Sequence, residues 1–188
     1  MIQFPEKIQI PIINNHLTKE EYFLIPAKAL EITPKRIAEI VAIWQQPDIY
    51  NNLFKKEFSN APYSSENARY WLKRAHQGWS EGTHYVFCIV TKDNRLAASC
   101  ELEGNRVEGV EIGYWASIEH RGIMSNAVLA ILNLAKAAGF RSFMASALHH
   151  NLQSKSVLTR CGFVKEPEKR DDTYDYFSLR LLDVNSVR

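Results

Sequence analysis

The chain has 188 residues, of which 46% are hydrophobic, and this composition suits one globular domain with a substantial core. Its formal net charge is +2 with lysine and arginine spread along the chain, so we expect no binding to nucleic acid. The N-terminus carries Glu6 and Lys7 where a signal peptide would have an unbroken apolar run, and no stretch is apolar enough to cross a bilayer. We therefore expect a cytoplasmic protein that does not interact with a membrane.

The cysteines and a histidine pair give no sign of metal binding or disulfide formation. Cys88, Cys100 and Cys161 form no C-x-x-C pair and sit among apolar neighbours, which predicts buried free thiols. His149 and His150 have no cysteine or carboxylate at ligand spacing, so we expect a solvated pair and no metal.

The first elements are predicted from caps and hydrophobic spacing. Residues 1–20 are expected to form an irregular extension, with at most a short extended piece, before a strand over 21–30. Thr33, followed by proline, predicts a helix start, because its hydroxyl can cap the helix and proline suits the first helical position. This helix should end near Gln46. The segment 47–63 has no clean period and is predicted to be a long, partly helical connection.

Strands and helices then alternate to the end of the chain. The predicted elements are a helix from Ser64 or Ser65 to 78–82, strands over 84–91, 95–104 and 107–117, a helix from Met124 to Ala138, a strand over 140–148, a helix over 151–163, final strands within 163–167 and 173–182, and a tail over 183–188. This order predicts a single α+β (mixed α/β) domain over 1–188. Its central twisted sheet should be mostly antiparallel, with helices on both faces.

A strand, a short polar turn and a long apolar helix follow one another between Glu111 and Leu132. The turn holds Gly122, which lets another group approach the backbone closely because it has no side chain. The first N–H groups of a helix have no partner inside it and lie at the positive end of the helix dipole. The stretch therefore predicts a site for a phosphate group.

Three segments together carry a resemblance to a known family: EIGYW (111–115), GIMSNAVLAIL (122–132) and NLQSKSVLTRCGF (151–163). Over residues 21–182 the chain resembles the GNAT superfamily of N-acetyltransferases, specifically the ribosomal-protein N-terminal (Rim-type) branch. The last segment matches the pattern of that branch at Asn151, Ser154, Val157, Leu158, Gly162 and Phe163.

The resemblance implies transfer of an acetyl group from acetyl-CoA to an amine by direct attack in a ternary complex, without a metal. The acceptor is expected to be the α-amino group of a protein or peptide, or a small amine. An α-amino group has a reference pKa of about 8 and a lysine of about 10.4, so an N-terminus needs less help to become neutral. The family also commonly forms homodimers.

The resemblance also implies roles for individual residues. Glu111 is the candidate base, with Glu168 and Asp171 as rivals, and Ser154 is the candidate acid for the departing thiolate. The residues expected to bind the cofactor are Tyr114, Trp115, Ala116, His120, Arg121, Gly122, Ile123, Met124, Ser125 and Asn151. The aromatic segment 50–63 is interpreted as a wall on the acceptor side.

The glycine turn departs from the usual family pattern. When the pattern is aligned on Gly122, Glu119 stands where arginine or glutamine is usual, and Met124 stands where a glycine or alanine is usual. When it is aligned on Arg121 and Gly122 together, the loop is about two residues short after the glycine. A carboxylate at the first position would repel a pyrophosphate unless it points away. A second function therefore stays open, in which a GNAT-fold protein without catalysis serves as an acyl-CoA-binding or protein-interaction module.

Overall fold

Eight strands form one sheet in the computed structural model, which describes residues 2, 4–5, 11–56 and 58–181. The sheet order is β1-β2-β3-β4-β5-β6-β8-β7, and every neighbouring pair is antiparallel except β5 and β6. The strands are β1 (Ile12–Asn14), β2 (Glu21–Pro26), β3 (Tyr85–Val90), β4 (Leu96–Glu103), β5 (Val110–Ala116), β6 (Ser142–Leu148), β7 (Val164–Arg170) and β8 (Tyr174–Arg180). The predicted mostly antiparallel, mixed α/β architecture is confirmed.

The helices begin where capping residues predict. Thr33 accepts a hydrogen bond from the backbone of Arg36, Ser64 forms a capping box with Asn67, and Asn151 caps the last helix. The helices are α1 (Pro34–Trp44), α2 (Pro47–Ile49), α3 (Ser65–Glu81), α4 (Met124–Ala138) and α5 (Leu152–Arg160). A π-helical turn, Tyr50–Phe54, follows α2, and a 3-10 turn, Ile118–His120, precedes α4.

The helices cover both faces of the sheet. Successive residues of a strand point to opposite faces. On β5, the Tyr114 hydroxyl reaches α5, whereas the Trp115 ring packs against Trp44 of α1 and Trp71 of α3. Thus α5 lies on one face and α1 and α3 on the other. All six residues of β3 are buried, so the centre of the sheet is enclosed on both sides.

The N-terminal segment differs most from its prediction. Within the expected extension, β1 pairs with β2, and the turn after β1 is hydrogen-bonded to Gly122. The strand predicted over 21–30 ends at Pro26, because Ala27–Ala29 forms a 3-10 turn. The predicted tail over 183–188 lies outside the described residues.

Two further sequence predictions can be compared with the described part of the chain. The three cysteines are buried and free, as predicted. None of the described helices is long and apolar enough to cross a membrane.

Candidate active site

The two parallel strands of the sheet separate and leave a cleft between them. β5 and β6 are in register only at Val110 with Phe143 and at Glu111 with Met144. Beyond this point β5 stays paired with β4 and β6 with β8, so the strands diverge. The resulting cleft has a volume of about 770 Å³ and is lined by the ends of both strands, the first turns of α4 and α5, and the segment around α2.

The first turn of α4 lies at one end of the cleft without a cap. Ile123 occupies the N-cap position, makes no side-chain capping bond, and no acidic residue follows in the first turn. Ser125, which lines the cleft, is 8% exposed, and no described hydrogen-bond partner satisfies its hydroxyl. Unpaired N–H groups and an unpaired hydroxyl at the positive end of a helix dipole can hold an anion.

Gly122 is required by a contact that the sequence did not reveal. Its φ is +101°, and a Cβ atom there would lie 2.4 Å from Asn15 Oδ1 and 2.9 Å from Leu17 Cγ. The group that approaches the glycine backbone is therefore the N-terminal segment of the same chain. No local pattern near Asn15 could have shown this, because the partners are more than a hundred positions apart in the sequence.

The turn before α4 points its charged residues in different directions. Arg121 lines the cleft and forms an ion pair of 2.9 Å with Asp48 of α2. Glu119 lines a separate cavity, so its carboxylate points away from the cleft, as phosphate binding would require. The predicted cofactor residue His120 lines that same separate cavity and is hydrogen-bonded at 3.0 Å to the Tyr22 hydroxyl.

Two of the predicted cofactor residues therefore lie outside the cleft. The 3-10 turn directs His120 towards β2, where it packs edge-on against Tyr22. Ile123 is fully buried in the core. The other predicted cofactor residues line the cleft: Tyr114, Trp115, Ala116, Arg121, Gly122, Met124, Ser125 and Asn151.

Tyr114 and Ser154 meet across the cleft. The Tyr114 hydroxyl lies 3.0 Å from both the Ser154 carbonyl oxygen and Ser154 Oγ, and both residues line the cleft. Burial raises the pKa of Tyr114 well above its ordinary value, so the phenol stays neutral and can donate a hydrogen bond. Asn151 orients this pair, because its side chain accepts the Ser154 N–H at 3.0 Å.

Of the three candidate bases, Glu111 alone lines the cleft. Its side chain is exposed, and among the described residues no hydrogen bond or ion pair engages its carboxylate. Glu168 is exposed on the edge strand β7. Asp171 accepts hydrogen bonds from the Tyr176 hydroxyl and from the N–H groups of Tyr174 and Thr173, and these bonds lower the pKa of Asp171.

A second carboxylate, Glu101, approaches the same region from β4 and was missed in the sequence. Glu101 pairs with Gly113 of β5, and its Oε1 lies 3.4 Å from where a Gly113 Cβ would be. Buried His84 donates to Glu101 through Nε2 at 3.2 Å. The alternation along β4 could have placed Glu101 and Glu103 on one face, but the register with β5 could not be known.

This carboxylate cluster is held together by hydrogen bonds and ion pairs. Within the described residues, possible ligand atoms of His84, Glu101 and Glu103 lie within 4.8 Å of one another. Arg74 engages both carboxylate oxygens of Glu103, at 3.2 and 3.0 Å. The Arg74 guanidinium therefore already balances the charge of Glu103.

The adjacent histidines His149 and His150 each have a partner of their own. His149 contacts buried Asp175, and His150 donates to Asn52.

Part of the segment predicted as a wall, residues 48–53, borders the cleft. Asp48, Ile49, Asn52 and Leu53 line the cleft, while Phe54 stacks on Trp44 at 4.5 Å between ring centroids. The aromatic side chains thus anchor the segment, and its polar residues face the opening.

The divided sheet, the uncapped helix and the Tyr114–Ser154 pair surround one cleft. Residues 30–164 match the family model described as the acetyltransferase (GNAT) domain. The chain therefore belongs to the GNAT acetyltransferase family, and the predicted enzyme class is confirmed.

Solved structures of acetyltransferases share the fold. The microcin C7 self-immunity acetyltransferase MccE, in complex with acetyl-CoA and AMP, is 17% identical over 85% of this chain and 92% of its own, with a TM-score of 0.66. RimJ of Mycobacterium smegmatis, in complex with CoA-disulfide, is 15% identical over 91% and 86%, with a TM-score of 0.67. The ribosomal-protein acetyltransferase RimL, in complex with coenzyme A, is 18% identical over 91% and 98%, with a TM-score of 0.64. No curated protein sequence matches the chain.

Proposed function

We propose that this protein transfers the acetyl group of acetyl-CoA to the α-amino group of a protein or peptide. The observation that carries the proposal is the cleft between β5 and β6, which joins an uncapped helix N-terminus to the Tyr114–Ser154 pair. The first feature suits the pyrophosphate and the second suits the sulfur of one extended donor. MccE and RimL, which have the same fold, bind acetyl-CoA and coenzyme A.

Side chains of this protein can accept and donate the protons that the reaction requires. The acceptor amine, once neutral, attacks the thioester carbonyl carbon, the C–S bond breaks, and an amide and a thiolate result. Glu111 takes the proton that the amine loses, directly or through water, and Ser154 or Tyr114 gives a proton or a hydrogen bond to the thiolate. Beyond Glu111 the edge of β5 has no strand partner on the β6 side, so backbone N–H groups there are available to the oxyanion.

Donor and base approach from opposite faces of β5. Tyr114 points to the α5 face, whereas Glu111 shares the face of Gly113 and Trp115, because these positions alternate along the strand. An amine can thus reach the thioester from the side of Glu111 while the sulfur lies against Ser154. The wall formed by residues 48–53 borders this approach.

The proposed acceptor is tested by a mass-shift screen. The protein is incubated with acetyl-CoA and with a panel of peptides that differ at the N-terminal residue, matched peptides with a blocked N-terminus and one internal lysine, and small amines. We expect a gain of one acetyl group on free N-termini and none on the blocked peptides. Acetylation of lysine or small amines alone would contradict the proposed acceptor and leave the donor chemistry standing.

Replacing Ser154 by alanine is expected to lower kcat by roughly 10²-fold, because one proton or hydrogen-bond donor to the thiolate is lost. The KM for acetyl-CoA should change little, since the helix cap from Asn151 uses the Ser154 backbone. Steady-state kinetics measures both values. Thr159→Ala is the control on the same helix, because that hydroxyl bonds only the Lys155 carbonyl among described groups. An unchanged kcat in Ser154→Ala would restrict Ser154 to a structural role.

The second candidate function is that of a GNAT-fold protein without catalysis, which serves as an acyl-CoA-binding or protein-interaction module. One observation favours its protein-interaction form: Arg121, in the turn before α4, is paired with Asp48, so a phosphate would have to compete for the guanidinium. Tight acetyl-CoA binding with no transfer to any amine in the screen would support this candidate.

A further inference from the structure

We propose that His16 binds a phosphate oxygen of acetyl-CoA, so that the N-terminal segment (residues 11–20) completes the donor site. The inference rests on the proposed function and extends it to a part of the chain that lies before the matched family domain, which begins at residue 30. His16 lines the cleft together with Arg121, Gly122 and Ser125 at the first turn of α4.

The position of His16 is set by two hydrogen bonds to one atom. Its backbone N–H and its ring Nδ1 both donate to the Gly122 carbonyl oxygen, at 3.2 and 2.6 Å. A carbonyl oxygen can only accept, so Nδ1 carries a hydrogen and Nε2 is the nitrogen left for a ligand. The imidazolium form has two N–H donors, so one nitrogen can hold the turn while the other holds a phosphate oxygen.

Hydrogen bonds of the neighbouring Asn15 fix the segment that carries His16 against the turn before α4. Asn15 is 1% exposed, and its Nδ2 donates to the Arg121 carbonyl at 2.8 Å. Its Oδ1 accepts the N–H groups of Leu17 and Thr18, at 2.8 and 3.2 Å. A donor on such a segment loses little conformational entropy when the ligand binds.

Charge around the site favours this role for His16. Family members usually place arginine or glutamine where this chain has Glu119, whose side chain lies in the separate cavity. Arg121 is neutralised in part by Asp48, and Arg160 lines the cleft on α5. Lys19, another cation of this segment, donates to the His16 carbonyl. His16 therefore offers a hydrogen-bond donor to the phosphate in place of the arginine or glutamine that is usual at the position of Glu119.

The test measures acetyl-CoA affinity by calorimetry in the wild type, in His16→Ala and in the control Thr18→Ala. Thr18 lies on the same turn, and its hydroxyl is bonded to Glu20 outside the cleft. We expect the Kd of His16→Ala to rise roughly tenfold, as for the loss of one hydrogen bond to a charged group. Thr18→Ala should bind like the wild type. Inhibition by inorganic pyrophosphate should weaken in parallel in His16→Ala.

Two results would overturn the inference. One is an unchanged Kd in His16→Ala; the other is a raised Kd with pyrophosphate inhibition as strong as in the wild type, because the loss would then not involve a phosphate. Thermal unfolding of both variants shows whether the turn is intact, and His16→Arg, which supplies a permanently charged donor, should recover affinity. Failure of the wild type itself to bind acetyl-CoA would instead defeat the proposed function.

Discussion

Replacing Gly122 by alanine is expected to destabilise the protein and to abolish tight acetyl-CoA binding. The left-handed backbone at this position costs a side chain about 1–2 kcal/mol. The new Cβ would also lie 2.4 Å from Asn15 Oδ1, and displacing a packed group costs a further ~1–3 kcal/mol. The strain falls on the turn that holds Arg121 and His16 at the cleft, so binding should suffer with stability.

Gly104→Ala is the matched control for this change. Gly104 also has a positive φ, +114°, but nothing lies within 4 Å of its would-be Cβ. It therefore reports backbone strain alone. Chemical denaturation and calorimetry should show a larger loss of unfolding free energy in Gly122→Ala than in Gly104→Ala, and a loss of acetyl-CoA affinity only in Gly122→Ala. Equal effects of the two variants would mean that the N-terminal segment does not press on Gly122.

Replacing Glu111 by glutamine is expected to lower kcat by about 10²- to 10⁴-fold with little change in the Kd for acetyl-CoA, because the amide keeps the shape of the side chain but cannot take a proton. Glu101→Gln is the paired variant. Glu101 already accepts a hydrogen bond from His84 and is not among the residues that line the cleft, so its replacement should have the smaller effect.

The two carboxylates are distinguished by pH–rate profiles as well as by rates. If Glu111 is the base, the acidic limb of the kcat/KM profile should lose the contribution of this carboxylate in Glu111→Gln and keep only that of the acceptor amine, whereas Glu101→Gln should keep both. The opposite outcome, with Glu111→Gln fully active and Glu101→Gln inactive, would show that Glu101 is the base.

Local signals in the sequence predicted most elements of the fold. Thr33, Ser64 and Asn151 cap three helices that begin where the sequence predicts a helix start. The strand–turn–helix stretch and the last helix come together at one cleft, as the family resemblance implied. These features depend on residues near each other in the chain, which a single sequence can show.

Contacts between distant residues could not be predicted. Asn15 reaches Gly122 where the start of α4 lies against the segment after β1, and Tyr114 reaches Ser154 where α5 covers one face of the sheet. His120 was assigned to the cofactor from its place beside Gly122, but one 3-10 turn rotates it towards Tyr22. A single sequence shows which residues are available for such contacts, and the tertiary fold decides which of them meet.

A calorimetric titration of the wild type with acetyl-CoA shows whether the cleft between β5 and β6 holds the acetyl donor. We expect saturable binding of one acetyl-CoA per chain, weakened by pyrophosphate and nearly lost in Gly122→Ala. Absence of binding at millimolar acetyl-CoA, with the protein folded, would contradict it.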